Sequence, residues 1–331
     1  NIRKRNKFYS GKKIKIFFRA FVVGAGPSLN DSIDYIKKHQ KDAIIFSCGT
    51  AITPLLKAGI IPDYEVVQER VWHSFKFEEN HDPKMLKKIS LLKLNVVSPQ
   101  IDNFYRETLV FQKFRDPGSS LIGKKYAVTT AVNPTVTNSA IAICAQMGVN
   151  EVYLFGVDYG APANSSKMHA SNTLHEQYNI EADVQSTTVD IPGNFESTIR
   201  STAIFIWSLQ TTEVKIAEFP KIRWYNVGEG AFIKGTKPVR VEELPKKFSK
   251  KSNKTKLRAQ ITGCFNRNYS PNLIIDRLKT MQMGQIDKYF ESLLGFTSAT
   301  PQSREEIIKV LQMMYEAVNV GKNQTSFLPS S

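Results

Sequence analysis

Four short stretches of the chain hold residues able to do chemistry, each where a strand should hand over to a loop. The first is Val22-Val23-Gly24-Ala25-Gly26-Pro27-Ser28-Leu29. Glycines between a strand and a helix let the backbone approach a ligand closely, and a helix start offers unpaired N–H groups to a phosphate. The spacing is not that of the dinucleotide fingerprint, because Leu29 stands where a third glycine is required. A plain tight turn explains the same residues, and Pro27 at a helix start fits both readings. The second stretch is Gly156-Val157-Asp158-Tyr159, closing a strand. Ligands of open α/β sheets sit beyond the carboxyl ends of strands, where an Asp can hold a hydroxyl, an amide or a metal; an Asp there also serves as an ordinary turn residue. The third is His169 with His175, in a polar segment shortly after that strand. Imidazole is the side chain best suited to take a proton from an attacking hydroxyl near neutral pH, although surface-loop histidines are common and these two lack metal-site spacing. The fourth, Tyr225-Asn226-Val227-Gly228-Glu229-Gly230-Ala231, should reach the same sheet edge as the first; its plain alternative is a glycine turn with Glu229 facing water. His39 falls late in a helix, where the dipole explains it, and His73 and His81 receive no role.

The elements around these stretches alternate. Residues 17–23 predict a buried strand, and 28–40 a helix with Ser28 as N-cap and Leu29, Ile33 and Ile36 on one face. A strand at 43–46 leads into Gly49-Thr50 and a short helix ending before Gly59, followed by strands at 64–67, 91–97 and 109–114. Residues 134–147 predict a buried helix closed by Gly148, then a strand at 152–155. The polar stretch 159–195 predicts a lid or substrate loop. A helix over 196–209, a strand over 222–225 and amphipathic helices over 273–294 and 304–318 complete the pattern. Alternation of this kind implies an α/β fold: a Rossmann-like, mainly parallel sheet with helices on both faces, plus a C-terminal helical region. The expected division is a basic arm at 1–19, the remnant of an upstream domain; a Rossmann-like domain at 20–240; a basic linker at 241–260; and helices over 261–331.

Composition narrows the class. The formal net charge of +15 is concentrated: residues 1–19 hold eight basic side chains and 246–258 hold seven, without an acid in either. Of 45 basic residues these two stretches take fifteen, so the remainder balances the 30 acidic ones. A folded core that is neutral argues against a nucleic-acid surface, and basic runs of this kind read as solvated tails. Three cysteines, Cys48, Cys144 and Cys264, share no metal-ligand spacing and cannot all pair, so reduced buried thiols are expected. The apolar run at 14–23 carries Lys15 and Arg19 and falls short of the ~20 residues that span a bilayer. With no small-residue cleavage site behind it, a cytoplasmic protein without membrane insertion is expected.

Taken in order, these motifs resemble the motility accessory factor (Maf) family of flagellin glycosyltransferases. The resemblance rests on 24–29, on Gly59-Ile60-Ile61-Pro62-Asp63-Tyr64, on Tyr153-Leu154-Phe155-Gly156-Val157-Asp158, on His169 and on 226–231. The family's central domain is similar to small bacterial sialyltransferases with CMP-linked donors. The implied activity is transfer of a nonulosonic acid, of pseudaminic, legionaminic or sialic type, from CMP to Ser or Thr of flagellin. By that resemblance Gly24, Ala25, Gly26, Pro27 and Ser28, with Gly49 and Thr50, cradle the CMP. Thr137, Asn138, Asp158, Gly156 and Tyr159 line the pocket with Asn226, Glu229 and Gly230. His169, ahead of His175, is the general base. No metal or cofactor is required beyond the donor itself. The chain departs from the sialyltransferases at Ala25, where they carry Asn, and near Gly49 and Thr50, where they carry another Asn. Tyr159 is an imperfect counterpart of their phosphate-holding tyrosines.

Two rivals remain. A 6-hydroxymethyl-dihydropterin pyrophosphokinase must hold Mg²⁺ on ATP phosphates with carboxylates. Gln68-Glu69-Arg70 offers one acid beside a cation where a close pair is expected. A non-catalytic flagellin-binding adaptor would retain the nucleotide fold without its activity, and Ala25 and Gly49 favour it. A nucleic-acid binder resting on the two basic stretches comes third.

Overall fold

The computed structural model describes residues 6–69, 78–114, 116, 119, 126–162, 168–173, 188–251 and 253–266. The helices expected over 273–294 and 304–318, and His175 and His73, lie outside these residues. Residues 1–114 and 126–267 make one compact unit, to which all that follows belongs.

Strands β1 (Lys7–Tyr9), β2 (Arg19–Val23), β3 (Ile44–Cys48), β4 (Tyr64–Val67), β5 (Ser90–Leu94), β6 (Glu107–Lys113), β7 (Val128–Thr129) and β8 (Glu151–Phe155) come first. They are followed by β9 (Ala161–Pro162), β10 (Val189–Pro192), β11 (Thr198–Ser201), β12 (Arg223–Val227), β13 (Lys237–Val239) and β14 (Phe265–Asn266). The main sheet runs β13-β12-β8-β2-β3-β4-β5-β6-β1-β14, with β7 attached to β6. Every pairing in it is parallel except that of β14 with β1. β2, β3, β4, β5 and β8 are buried along their whole length, as strands covered on both faces must be. The two-residue period of β2 divides the core: Ala20 and Val22 join one apolar cluster, Phe21 and Val23 the other.

The helices cover both faces as expected. In α1 (Leu29–His39), Leu29, Ser32, Ile36 and His39 are buried at helical spacing, with Asp31 in the first turn and Lys37, Lys38 and His39 in the last, which suits the dipole. Next come α2 (Ile52–Lys57) and the single turn α3 (Pro83–Leu86). α4 (Val136–Gln146) is buried from Asn138 to Ala145. α5 (Ala203–Glu218) is capped by Thr202, and α6 (Lys254–Gly263) by Asn253.

Three expectations need correction. The helix expected over 196–209 starts at Ala203, because Thr198–Ser201 forms β11 instead: Ile199 is buried there and Ser201 Oγ donates to the Tyr159 carbonyl at 2.6 Å. The polar stretch before it is not wholly loop, since β9 and β10 pair antiparallel with β11 in a second, three-stranded sheet. The described parts of the basic stretches are not wholly solvated tails. Lys7 pairs with Glu107 at 2.7 Å from within β1. Arg19, 2% exposed, pairs with Glu151 at 2.7 Å and lies 3.7 Å above the Phe248 ring. Lys254 and Arg258 of α6 both bind the buried carboxylate of Asp63, Lys254 at 2.8 Å. Acids elsewhere in the chain thus hold these four, while Lys12, Lys13, Lys15, Lys246, Lys247, Lys250, Lys251 and Lys256 are exposed as expected.

Asp63 also accepts the Ile45 N–H at 2.8 Å, which ties β3, the start of β4 and α6 together. Asp63→Ala leaves that amide buried and unpaired and should cost about 1–3 kcal/mol. A urea-denaturation midpoint unchanged from wild type would contradict this assignment.

Candidate functional site

In the main sheet the chain runs outward from β2 through β3, β4, β5 and β6, then returns to β8 on the opposite side of β2. The carboxyl ends of β2 and β8 therefore flank a topological switch point, where open α/β sheets bind ligands. The glycine turn follows β2 and the Gly156-Val157-Asp158-Tyr159 stretch follows β8, so the fold puts the first two sequence motifs side by side.

Their backbones are joined directly. Gly24 N–H donates to the Phe155 carbonyl and Gly26 N–H to that of Gly156, each at 2.8 Å. Asp158, fully buried, accepts from Ser28 N–H through Oδ2 at 2.7 Å and from Ser28 Oγ through Oδ1 at 2.5 Å. Its carbonyl accepts from Ala231 N–H at 2.7 Å, bringing in the fourth motif from behind. The close approach explains two glycines: a methyl group at Gly26 would lie 2.5 Å from Asp158 Oδ2, and one at Gly230 only 2.4 Å from Asp158 Cα. Burial pushes the Asp158 carboxyl up to about 6, against the pull of the two Ser28 hydrogen bonds.

These contacts correct one premise of the sequence reading. Ser28 has helical φ and ψ and makes no cap bond; its amide and hydroxyl belong to Asp158. The next two amides, of Leu29 and Asn30, bond to Gly26 and Pro27 carbonyls at 3.1 Å each. The start of α1 therefore has these three N–H groups occupied rather than open to a phosphate.

A cavity of about 450 Å³ opens beside this junction. One wall carries Ala25, Gly26, Gly156, Asp158 and Tyr159. Thr135, Val136 and Thr137 bring the start of α4, while Gly49 and Thr50 come from the single 3₁₀ turn after β3. Met168, His169 and Phe205 also line it. The segment bearing His169 is held to the glycine turn by Ala170 N–H on the Ala25 carbonyl at 2.8 Å, and by Ser171 N–H on Asn30 Oδ1 at 3.1 Å. Burial lowers the His169 pKa below the usual 6.5, so the ring is neutral at physiological pH.

Other residues singled out by sequence do not reach the cavity wall: Gly24, Pro27, Ser28, Asn138, Asn226, Glu229 and Gly230 are absent from it. Asn138 is buried under α5, donating to the Ser208 carbonyl at 2.8 Å and to Thr212 Oγ1 at 2.9 Å. Asn226 donates to the Ala231 carbonyl at 2.8 Å, and Glu229 pairs with Arg240 at 3.4 Å. Tyr159 lines the cavity with its hydroxyl engaged by Thr212 at 2.7 Å. The convergence expected of residues around 26, 158, 169 and 229 thus holds for three; the fourth motif braces Asp158 from outside.

The cavity also has a side that the sequence reading missed, formed by Glu65, Glu69, Glu78 and His81 with Cys48, Ile52, Val67 and Ile101. Burial, then repulsion from Glu78, pushes Glu65 well above the usual carboxylate range. Burial raises Glu78 to about 7 although Tyr105 donates to it at 2.6 Å. His81 Nε2 shares a hydrogen bond with Thr53 Oγ1 at 3.0 Å. The available signal was Glu65 itself, an ionisable residue inside the apolar strand Tyr-Glu-Val-Val. No Lys or Arg is among the described lining residues. Among the described residues, no group of three or more His, Cys, Asp or Glu is arranged to hold a metal ion, and no helix is long and apolar enough to cross a membrane.

Comparison with known proteins agrees with this architecture. Residues 1–164 match the model of a family described as 6-hydroxymethylpterin diphosphokinase MptE-like. Over 45 residues the chain is 40% identical to an uncharacterized protein of Treponema pallidum (strain Nichols), covering 14% of this chain and 21% of that one. Its fold is similar to a solved Maf glycosyltransferase from Magnetospirillum magneticum AMB-1, with a TM-score of 0.69 and 24% identity over 85% of this chain. The chain spans 43% of that protein's length. The expected resemblance to Maf proteins thus holds in the fold.

The three-loop junction makes a direct prediction. Gly230→Ala forces a methyl group into the Asp158 backbone and should cost about 1–3 kcal/mol in chemical denaturation. Gly263→Ala is the control: nothing lies within 4 Å of the added methyl in α6, so stability should hold or rise by up to about 1 kcal/mol. Equal loss in both variants would refute the junction as the cause.

Proposed function

We propose that this chain is the nucleotide-binding part of a cytoplasmic glycosyltransferase that moves a nonulosonic acid from a CMP donor to a Ser or Thr hydroxyl of flagellin. The observation that carries the proposal is the meeting of the glycine turn, the start of α4 and the neutral His169 imidazole around one cavity at the switch point of the sheet. The Maf-like fold supports the same reading.

In this scheme the donor phosphate faces the start of α4, whose positive dipole end can hold charge as it develops. That replaces the start of α1, where the first amides are occupied. Departing CMP is a phosphate monoester, so its release needs charge stabilisation more than a strong acid. The acceptor oxygen attacks the anomeric carbon, its proton passes to the unprotonated nitrogen of His169, and the electron pair of the breaking C–O bond leaves on the CMP phosphate. Burial keeps His169 deprotonated and ready. Asp158 acts at one remove: it pins the turn that shapes the wall and gives up no proton.

His169→Ala should bind CMP within a few-fold of wild type, by calorimetry without Mg²⁺, and lose about 10²–10⁴-fold in transfer rate. In the wild type, transfer should fall on the acid side of a pH below 6.5, and that limb should vanish in the variant. Undiminished transfer by His169→Ala would remove the residue from the chemistry.

A second reading has its own support. The family model matched by residues 1–164 is described as that of a diphosphokinase, and Glu65, Glu69 and Glu78 bring acids to the cavity, although among the described residues no three acids are arranged to hold a metal ion. The sequence argument from 68–70 counted a single acid and overlooked Glu65 just before it and Glu78 from the turn that follows. Binding of ATP only with Mg²⁺, and none of CMP, would favour this reading.

A further inference from the structure

Glu65 is a side chain the proposed mechanism leaves unused. It is 1% exposed in the middle of β4 and lines the cavity, and its Oε2 has no hydrogen-bond partner. The Ser47 hydroxyl and the Gly49 amide hydrogen-bond to the same carboxyl group, which fixes its orientation. A buried polar atom left unpaired is costly unless something entering the cavity satisfies it. Around it Cys48, Ile52, Val67 and Ile101 give the wall an apolar part, beside Glu69, Glu78 and His81. A flat ring fits such surroundings; a phosphate does not. β4 stands two strands from β2, about 10 Å across the sheet, comparable to the reach of a nucleoside monophosphate from its phosphate to the far edge of its base. With the phosphate beside the switch point, the base falls at Glu65.

We infer that Glu65 is the residue that reads the base of the donor nucleotide, its Oε2 donating to a ring nitrogen that accepts, as N3 of cytosine does and the protonated N3 of uracil does not. This rests on the nucleotide-donor reading above. Donation requires the carboxyl to keep its proton. Burial and the neighbouring Glu78 favour that form and outweigh the hydrogen bonds from Ser47 and Gly49, which favour the ionised one; no Lys or Arg is among the described lining residues. Uridine nucleotides would set one N–H against another, which is how a single buried donor rejects a near-isosteric base.

The test is calorimetry of the full chain with CMP and with UMP, for wild type, Glu65→Gln and Glu65→Leu, with thermal melting to confirm that each variant folds. Wild type should bind CMP about tenfold more tightly than UMP. Glu65→Gln, whose amide presents N–H where the acid presented O–H, should keep that preference. Glu65→Leu should bring the two nucleotides within about twofold. A Glu65→Leu protein that still prefers CMP overturns the inference and leaves the donor reading standing. Loss of CMP binding in Glu65→Gln, with wild-type binding dependent on Mg²⁺, overturns it in favour of an ionised, cation-holding carboxylate. Wild type binding neither nucleotide refutes the donor reading and the inference together.

Discussion

The carboxylate of Asp158 is the contact on which the site depends. It stands just beyond β8, receives two hydrogen bonds from Ser28 ahead of α1, and its own carbonyl receives Ala231 from the loop after β12. Three segments far apart in the chain are brought within backbone contact at the one place where the sheet reverses its order. Such a group is buried at a cost, which its hydrogen bonds must offset. What is gained is a rigid wall: the glycine turn cannot move without breaking Ser28 from Asp158, and the His169 segment is fastened to that turn in its place. Sites held this firmly need little reorganisation when a substrate arrives.

Electrostatics divides the molecule in a second way. Of the positive charges concentrated near both ends of the described unit, Lys7, Arg19, Lys254 and Arg258 pair with Glu107, Glu151 and Asp63. The cavity, by contrast, gathers carboxyls: burial shifts Glu65, Glu69, Glu78 and Asp158 upward, and Glu78 pushes Glu65 further. A phosphate entering such a chamber meets helix and turn starts rather than cationic side chains, so the state of those protons bears on every ligand that fits.

Much of the architecture was legible from local pattern. β2, α1, α4 and β8 are strongly apolar or periodic segments whose burial follows from their own residues, and the parallel sheet follows from their alternation. Boundaries set by distant contacts were not legible: β11 displaces the expected helix start because Ile199 and Ser201 find partners around Tyr159. β13, three residues long, gave too little signal. At the site, the glycines could be recognised but not interpreted, since a backbone that must approach a ligand and one that must approach another loop leave the same trace in sequence. Glu65, Glu78 and His81 were passed over for a related reason: they line one chamber, and they reach it from two separate segments, β4 and the turn at 78–81. His169 was found because imidazole chemistry and proximity to a strand end are both visible in one dimension.

The borders of the large sheet carry a consequence for solubility. On one side the outermost strand is β13, where Pro238 has no N–H to offer; on the other it is the two-residue β14, laid antiparallel against β1. An eleven-stranded sheet with long unpaired rims would template the addition of a foreign strand. Here the described rims are short, and one carries the imino acid tolerated only at such borders. Within the described residues, then, each border offers little backbone on which a further strand could add.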